Sequence, residues 1–201
     1  MFKLAPDHNT NPLFTLLMGF AAYLAGGTLV GLLATFLNFD VSGSFFDSAY
    51  PSDDFMILFF GTAIGGILLL LLFKSFTITT LIKTVVLSTL GIVCLFVIFF
   101  VEAVWLFAGG FFNFHLLFLL CFALANAVYG AFIGPVFQGV RSIGFFALGC
   151  GITSIPFGLL SWATSGVVLA GINLAAVVLV ASLGATTGLS IGLYRLLKAK
   201  T

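Results

Sequence analysis

Charge is what this sequence has least of. Only 6% of its 201 residues are charged, against about 25% in an ordinary soluble domain. Such a chain cannot surround a core with a hydrated surface, so a water-soluble globule is excluded. The acids are also unevenly placed. Asp7, Asp40, Asp47, Asp53 and Asp54 all precede residue 55, and Glu102 is the one acid after it. Histidine is nearly absent, with only His8 and His115. A catalytic zinc site needs several His or carboxylate ligands, and a haem held between membrane histidines needs two of them facing. Neither set is available inside the long apolar region. The three cysteines, Cys94, Cys121 and Cys150, lie within apolar runs without CxxC spacing. They read as small buried hydrophobes, not as a disulfide framework or a zinc site. A net charge of +1 provides no basic patch for nucleic acid.

Enzyme signatures are equally thin. No phosphate-binding Gly-rich loop and no nucleophile elbow is present. Ser154, Ser161 and Ser165 have no nearby base in the sequence. A non-enzymatic protein is expected, with an intramembrane hydrolase built on His115 as the enzymatic alternative. No cofactor is indicated.

What is there is apolar length. Hydrophobic residues make up 62% of the chain, with 26 Phe and 23 Gly, and the mean hydropathy is +1.30. Runs near or above the ~20 residues needed to cross a bilayer recur along it. The pattern predicts an all-α, polytopic transmembrane bundle of six helices. Their ranges are 13–37, 55–73, 78–107, 111–137, 143–162 and 166–197. Barrel strands would alternate with period two, and these runs do not. The third and sixth ranges exceed one span, so they tilt, protrude or have non-helical ends. Residues 1–12 form a short polar leader, 13–197 a single membrane domain, and 198–201 a basic tail. The first apolar run is too long for a cleavable signal. Pro12 suits the first turn of the opening helix, where its missing N–H costs nothing.

The basic residues set an expected orientation. With six spans, Lys3, Lys74, Lys83, Arg141, Arg195, Lys198 and Lys200 all fall on one face, and Asp40, Asp47, Asp53, Asp54 and Glu102 on the other. Positive charge marks the cytoplasmic side, so both termini are expected inside a cell membrane. Trp105 and Trp162 then lie near the outer interface.

Small residues mark expected packing faces. Gly61 and Gly65, then Gly130 and Gly134 after Asn126, then Gly184, Gly188 and Gly192 recur about sixty residues apart. Each group precedes a basic residue, so three helical hairpins inserted in parallel are a possible reading. Gly19, Gly26 and Gly27 put similar stripes on the first helix. Small residues four apart let helix backbones approach closely, which explains the spacing without any repeat. Gly149, Gly151, Pro156 and Gly158 make the fifth helix the best place for a break.

Two ionisable groups lie near the membrane interior, Glu102 and His115. They flank the turn Ala108–Gly110, with Trp105 and Asn113 beside them. An ionisable group in a span is a functional candidate because charge in lipid is costly. These four residues are the expected ligand site at the outer face. The long loop before the second helix, with Asp47, Tyr50, Asp53 and Asp54, is its expected lid. In layout alone, the chain resembles the vitamin-binding subunits of energy-coupling transporters, whose motifs it does not carry. Two functions follow: binding or transport of a neutral or apolar small molecule from the outer face, or a non-catalytic accessory subunit of a membrane complex. The expected partners are the lipid bilayer and other membrane subunits or further copies of the chain.

Overall fold

The computed structural model describes residues 11–36, 52–73, 77–107, 114–164, 167–169 and 172–198; some side chains in these ranges, chiefly near helix ends, fall outside the description. The described chain is almost entirely helical. Helix α1 spans Pro12–Phe36, α2 Ser52–Leu72, α3 Ile78–Phe107, α4 Phe114–Gln138, α5 Ile143–Thr153, α6 Ile155–Ala163 and α7 Leu174–Lys198. Strands β1 (Val168–Leu169) and β2 (Ile172–Asn173) precede α7.

Local chemistry accounts for several boundaries. Asn11 caps α1, its side-chain oxygen accepting from the Leu13 N–H at 3.0 Å. Pro12 follows as the first helical residue, where a missing donor is harmless. After α4 the chain turns at Gly139, whose φ of 81° lies in the left-handed region. Nothing lies within 4 Å of a Cβ built there, so conformation, not space, calls for glycine.

The range 143–162 is two helices, divided where its glycines and Pro156 made a break expected, and one further boundary is corrected. The run breaks at Ser154, and α5 and α6 are bent by 45° across the break. Pro156 cannot donate to the carbonyl four residues back, and its ring crowds that carbonyl. Two hydroxyls satisfy carbonyls at the break, Thr153 donating to Gly149 at 2.6 Å and Ser154 to Gly151 at 2.8 Å. The sixth helix starts at Leu174, not at residue 166. The stretch before it pairs as an antiparallel hairpin, Val168 with Asn173 and Leu169 with Ile172. A β-branched run broken by Gly166 and Gly171 favours extended chain over helix.

By length and composition, four helices are able to cross a membrane, or five if α5 and α6 form one bent span. The apolar part of α2, Ile57–Leu72, is shorter than the rest. The outward surface suits lipid. Phe36, Phe100 and Leu148 are 85%, 70% and 69% exposed, which water would penalise across so continuous a surface. The protein is membrane-embedded.

The helices gather into two groups. In the first, α1 packs most extensively on α7 and next on α2. In the second, α4 packs on α5 and on α3. Helix α7 is the most enclosed and touches α2, α4, α5 and α6 as well as α1.

Candidate functional site

Glycines close each group from within. A Cβ on Gly19 would strike the Gly184 carbonyl oxygen and lie 3.1 Å from the Gly188 Cα. One on Gly188 would strike the Thr15 carbonyl, and one on Gly192 the Thr15 hydroxyl. On the other side of α1, a Cβ on Gly26 would lie 2.5 Å from the Gly61 carbonyl oxygen and 2.7 Å from the Gly65 nitrogen. Gly27 faces Val180, and Gly65 lies against the Tyr23 ring. In the second group, Gly130 and Gly134 both face α5, at Phe146 and Cys150. The three similar glycine stretches therefore dock differently: those of α2 and α7 on α1, that of α4 on α5.

Hydroxyls, a thiol and an amide line the boundary between the groups. The Tyr23 hydroxyl of α1 bonds the Tyr129 hydroxyl of α4 at 2.7 Å. Ser88 of α3 joins Tyr129 at 3.2 Å. Further along, the Thr186 hydroxyl of α7, which donates to the Ser182 carbonyl at 2.9 Å, lies 3.4 Å from the Asn126 Oδ1 of α4. Cys150 Sγ of α5 and Ser190 Oγ of α7 lie 3.5 Å apart. The elements fix this alignment. Asn126 and Tyr129 are three apart on α4, and Thr186 and Ser190 four apart on α7, so each pair shares a face. Gly66 makes room at the tyrosine end: a Cβ there would lie 2.7 Å from Thr84 Cγ2 and 3.4 Å from the Tyr23 hydroxyl. Gly149 does the same at the thiol end, where a Cβ would meet Ser190 Oγ at 2.7 Å.

Every one of these polar residues is fully buried or nearly so. All of their hydroxyls have a contact, but Thr187, next to Thr186 on α7, is different. The Thr187 Oγ1 has no hydrogen-bond partner among the described residues. A buried hydroxyl left unpaired costs about 1–3 kcal/mol. The seam offers donors and acceptors without charge, so its chemistry suits binding a neutral molecule.

The outer cluster stands differently. Glu102 and Trp105 belong to the last turns of α3, and His115 to the first turn of α4, but their side chains lie outside the described residues. Asn113 lies outside them entirely, as do Asp47 and Tyr50 of the expected lid. Asp53 and Asp54 form the start of α2, again without described side chains.

A reading of the sequence based on carboxylates and imidazoles does not reach the seam. A signal existed. The chain has 4 Tyr against 26 Phe, so a tyrosine in mid-span carries a hydroxyl where the chain otherwise prefers none. Compared with family models, curated proteins and solved structures, the chain matches none.

Proposed function

We propose that this protein binds or conducts a neutral small molecule across a cell membrane, entering from the outer face. The observation that carries this reading is the contrast between the two kinds of helix contact. Glycines interlock backbones within each group, whereas the Tyr23–Tyr129, Asn126–Thr186 and Cys150–Ser190 contacts join the groups. At that boundary side chain meets side chain, with hydrogen bonds and the Gly66 and Gly149 contacts but no backbone interlock among the described residues. The two halves can therefore part more readily than the helices inside either half. Solute sites in helical membrane proteins favour such boundaries between halves.

The reading includes six spans. The 21-residue α2 is roughly 30 Å long, the thickness of the hydrocarbon layer. With α5 and α6 as one bent span, both termini lie in the cytoplasm, on the side of the basic residues. Glu102 and His115, at adjoining ends of α3 and α4, then stand at the outer entrance.

Cys150 provides the test. With Cys94→Ala and Cys121→Ala it is the only thiol, and it is 0% exposed. In reconstituted vesicles, methyl methanethiosulfonate, which is small and neutral, is expected to modify it in the folded protein. The charged sulfonatoethyl analogue is expected to react far more slowly. A thiol that both reagents reach only after unfolding would refute an opening seam.

A second reading has its own support. Ala25, Thr28, Leu29, Leu32, Leu33 and Phe36 line an apolar recess of about 570 Å³ on the outside of α1. A partner helix fits such a surface, as an accessory subunit would require. Native mass measurement after mild extraction distinguishes the two: a lone 21.3 kDa chain that still shows the Cys150 reactivity counts against the subunit reading.

A further inference from the structure

The seam carries one group that the bundle itself does not use. Most buried Ser and Thr hydroxyls turn back on their own helices. Those of Thr62, Thr84, Ser154, Ser182 and Thr186 each donate to a carbonyl three or four residues earlier. That rotamer is the default for a hydroxyl without water. Thr187 departs from it. Its hydroxyl is fully buried, stands on α7 between Thr186 and Ser190, and bonds nothing among the described residues. Its polar neighbour is the Cys150 thiol, a weak partner whose approach falls short of a hydrogen bond.

On the same seam the Asn126 Oδ1 is under-used. The Thr186 hydroxyl lies 3.4 Å from it and is already 2.9 Å from the Ser182 carbonyl, whereas an oxygen pair bonds best near 2.7–2.8 Å. An unpaired hydroxyl and an under-used amide oxygen leave capacity for a third party. We propose that Asn126, Cys150, Thr186, Thr187 and Ser190 form a binding site for a small uncharged solute bearing a hydroxyl or carboxamide, with Thr187 as its anchor. This deepens the transport reading of the seam and rests on it.

The chemistry of the set selects the class. Each hydroxyl both donates and accepts, and Asn126 Oδ1 accepts, so alcohol and amide groups both find partners. An ion would lose its hydration and find no opposite charge among the site's residues. A wholly apolar solute would leave Thr187 unpaired. Size is limited as well, because Gly130 and Gly149 keep α5 in close contact with α4 and α7. A solute there has to part α5 from α7, which limits it to a few heavy atoms. The helix break at Ser154, one turn beyond Cys150, lets α5 yield without dragging α6 along.

The test uses the full chain in proteoliposomes, with glycerol and urea as probes and light scattering after rapid mixing as the readout. Vesicles carrying the protein are expected to equilibrate at least one probe faster than protein-free vesicles. Thr187→Val keeps the shape and removes the hydroxyl, and is expected to slow that flux about tenfold, as loss of one hydrogen bond to the solute would. Thr187→Ser restores the hydroxyl and the flux. Because Thr187→Val removes an unpaired buried group, its thermal unfolding is expected to be no lower than the parent's. Equal flux through the parent and Thr187→Val would overturn the site, as would flux no faster than in protein-free vesicles. Ser190→Ala repeats the comparison should Thr187→Val fail to fold, and unchanged flux there overturns the proposal too. If Cys150 remains reachable by the neutral reagent while these variants change nothing, this site fails and the opening seam survives.

Discussion

Gly184 and Gly144 have the same side chain, one hydrogen atom, and opposite surroundings. A Cβ on Gly184 would strike the Gly19 carbonyl and come within 2.5 Å of Tyr23 Cβ, whereas nothing lies within 4 Å of one on Gly144. In the first case backbone must move, because neither atom is the end of a flexible side chain. Gly184→Ala is therefore expected to destabilise the bundle by about 1–3 kcal/mol, the usual cost of overpacking. Gly144→Ala lies in the first turn of α5, on its exposed side, and is expected to be neutral, or to stabilise by up to about 1 kcal/mol. Thermal unfolding of the two variants in one detergent checks the contrast, and equal effects would contradict it. The sequence spacing of glycines pointed to close approach here, since few other functions explain small residues four apart. It did not say which helix each stripe meets. Gly130 and Gly134 meet α5, not the preceding helix of their own hairpin, and nothing local in α4 encodes that choice.

Helices α5 and α6 are one apolar run divided by chain chemistry. The concentration of Gly149, Gly151, Pro156 and Gly158 made the break legible, because each residue weakens helix in its own way. The hairpin before α7 was not legible. In lipid, where valine and leucine are good helix formers by burial alone, 167–172 reads as the start of a span. Only Gly166 and Gly171 speak against it. The bend gives a second prediction. Pro156→Ala restores a donor for the Ile152 carbonyl and removes the ring that crowds it. The 45° angle is then expected to shrink. Spin labels at the exposed positions Leu148 and Leu159 report this as a longer mean separation, and an unchanged separation would assign the bend to packing against α4 and α7 instead. A straightened pair would also be expected to lower the Cys150 reactivity, since α5 could no longer move independently.

For the molecule as a whole, hydropathy made the membrane assignment direct. Little besides lipid can cover a surface with Phe36 at 85% and Val140 at 74% exposure. The polar seam was illegible for the converse reason. Tyr23, Asn126, Tyr129 and Thr187 lie on three different helices, and only tertiary assembly brings them together. Topology supplies the third prediction. With six spans, a cysteine at Ser48 and one in the C-terminal tail lie on opposite sides of the membrane. In intact cells an impermeant maleimide is expected to label Ser48→Cys alone. Labelling of both from outside would require an odd number of crossings.

The tightest contact in the bundle joins α1 to α7, with α2 through α6 lying between them in the chain. During synthesis, therefore, the glycine face of α1 enters the bilayer long before the helix that covers it exists. Until then α1 exposes Gly19 and Thr15 to lipid or to whatever insertion factor shelters it. Helix α7 is apolar enough to remain in lipid, but its Gly184, Gly188 and Gly192 find their seat only against α1. Biogenesis of this protein thus has a late closing step, and a chain stalled before Leu174 presents an unsealed α1, a ready signal for membrane quality control.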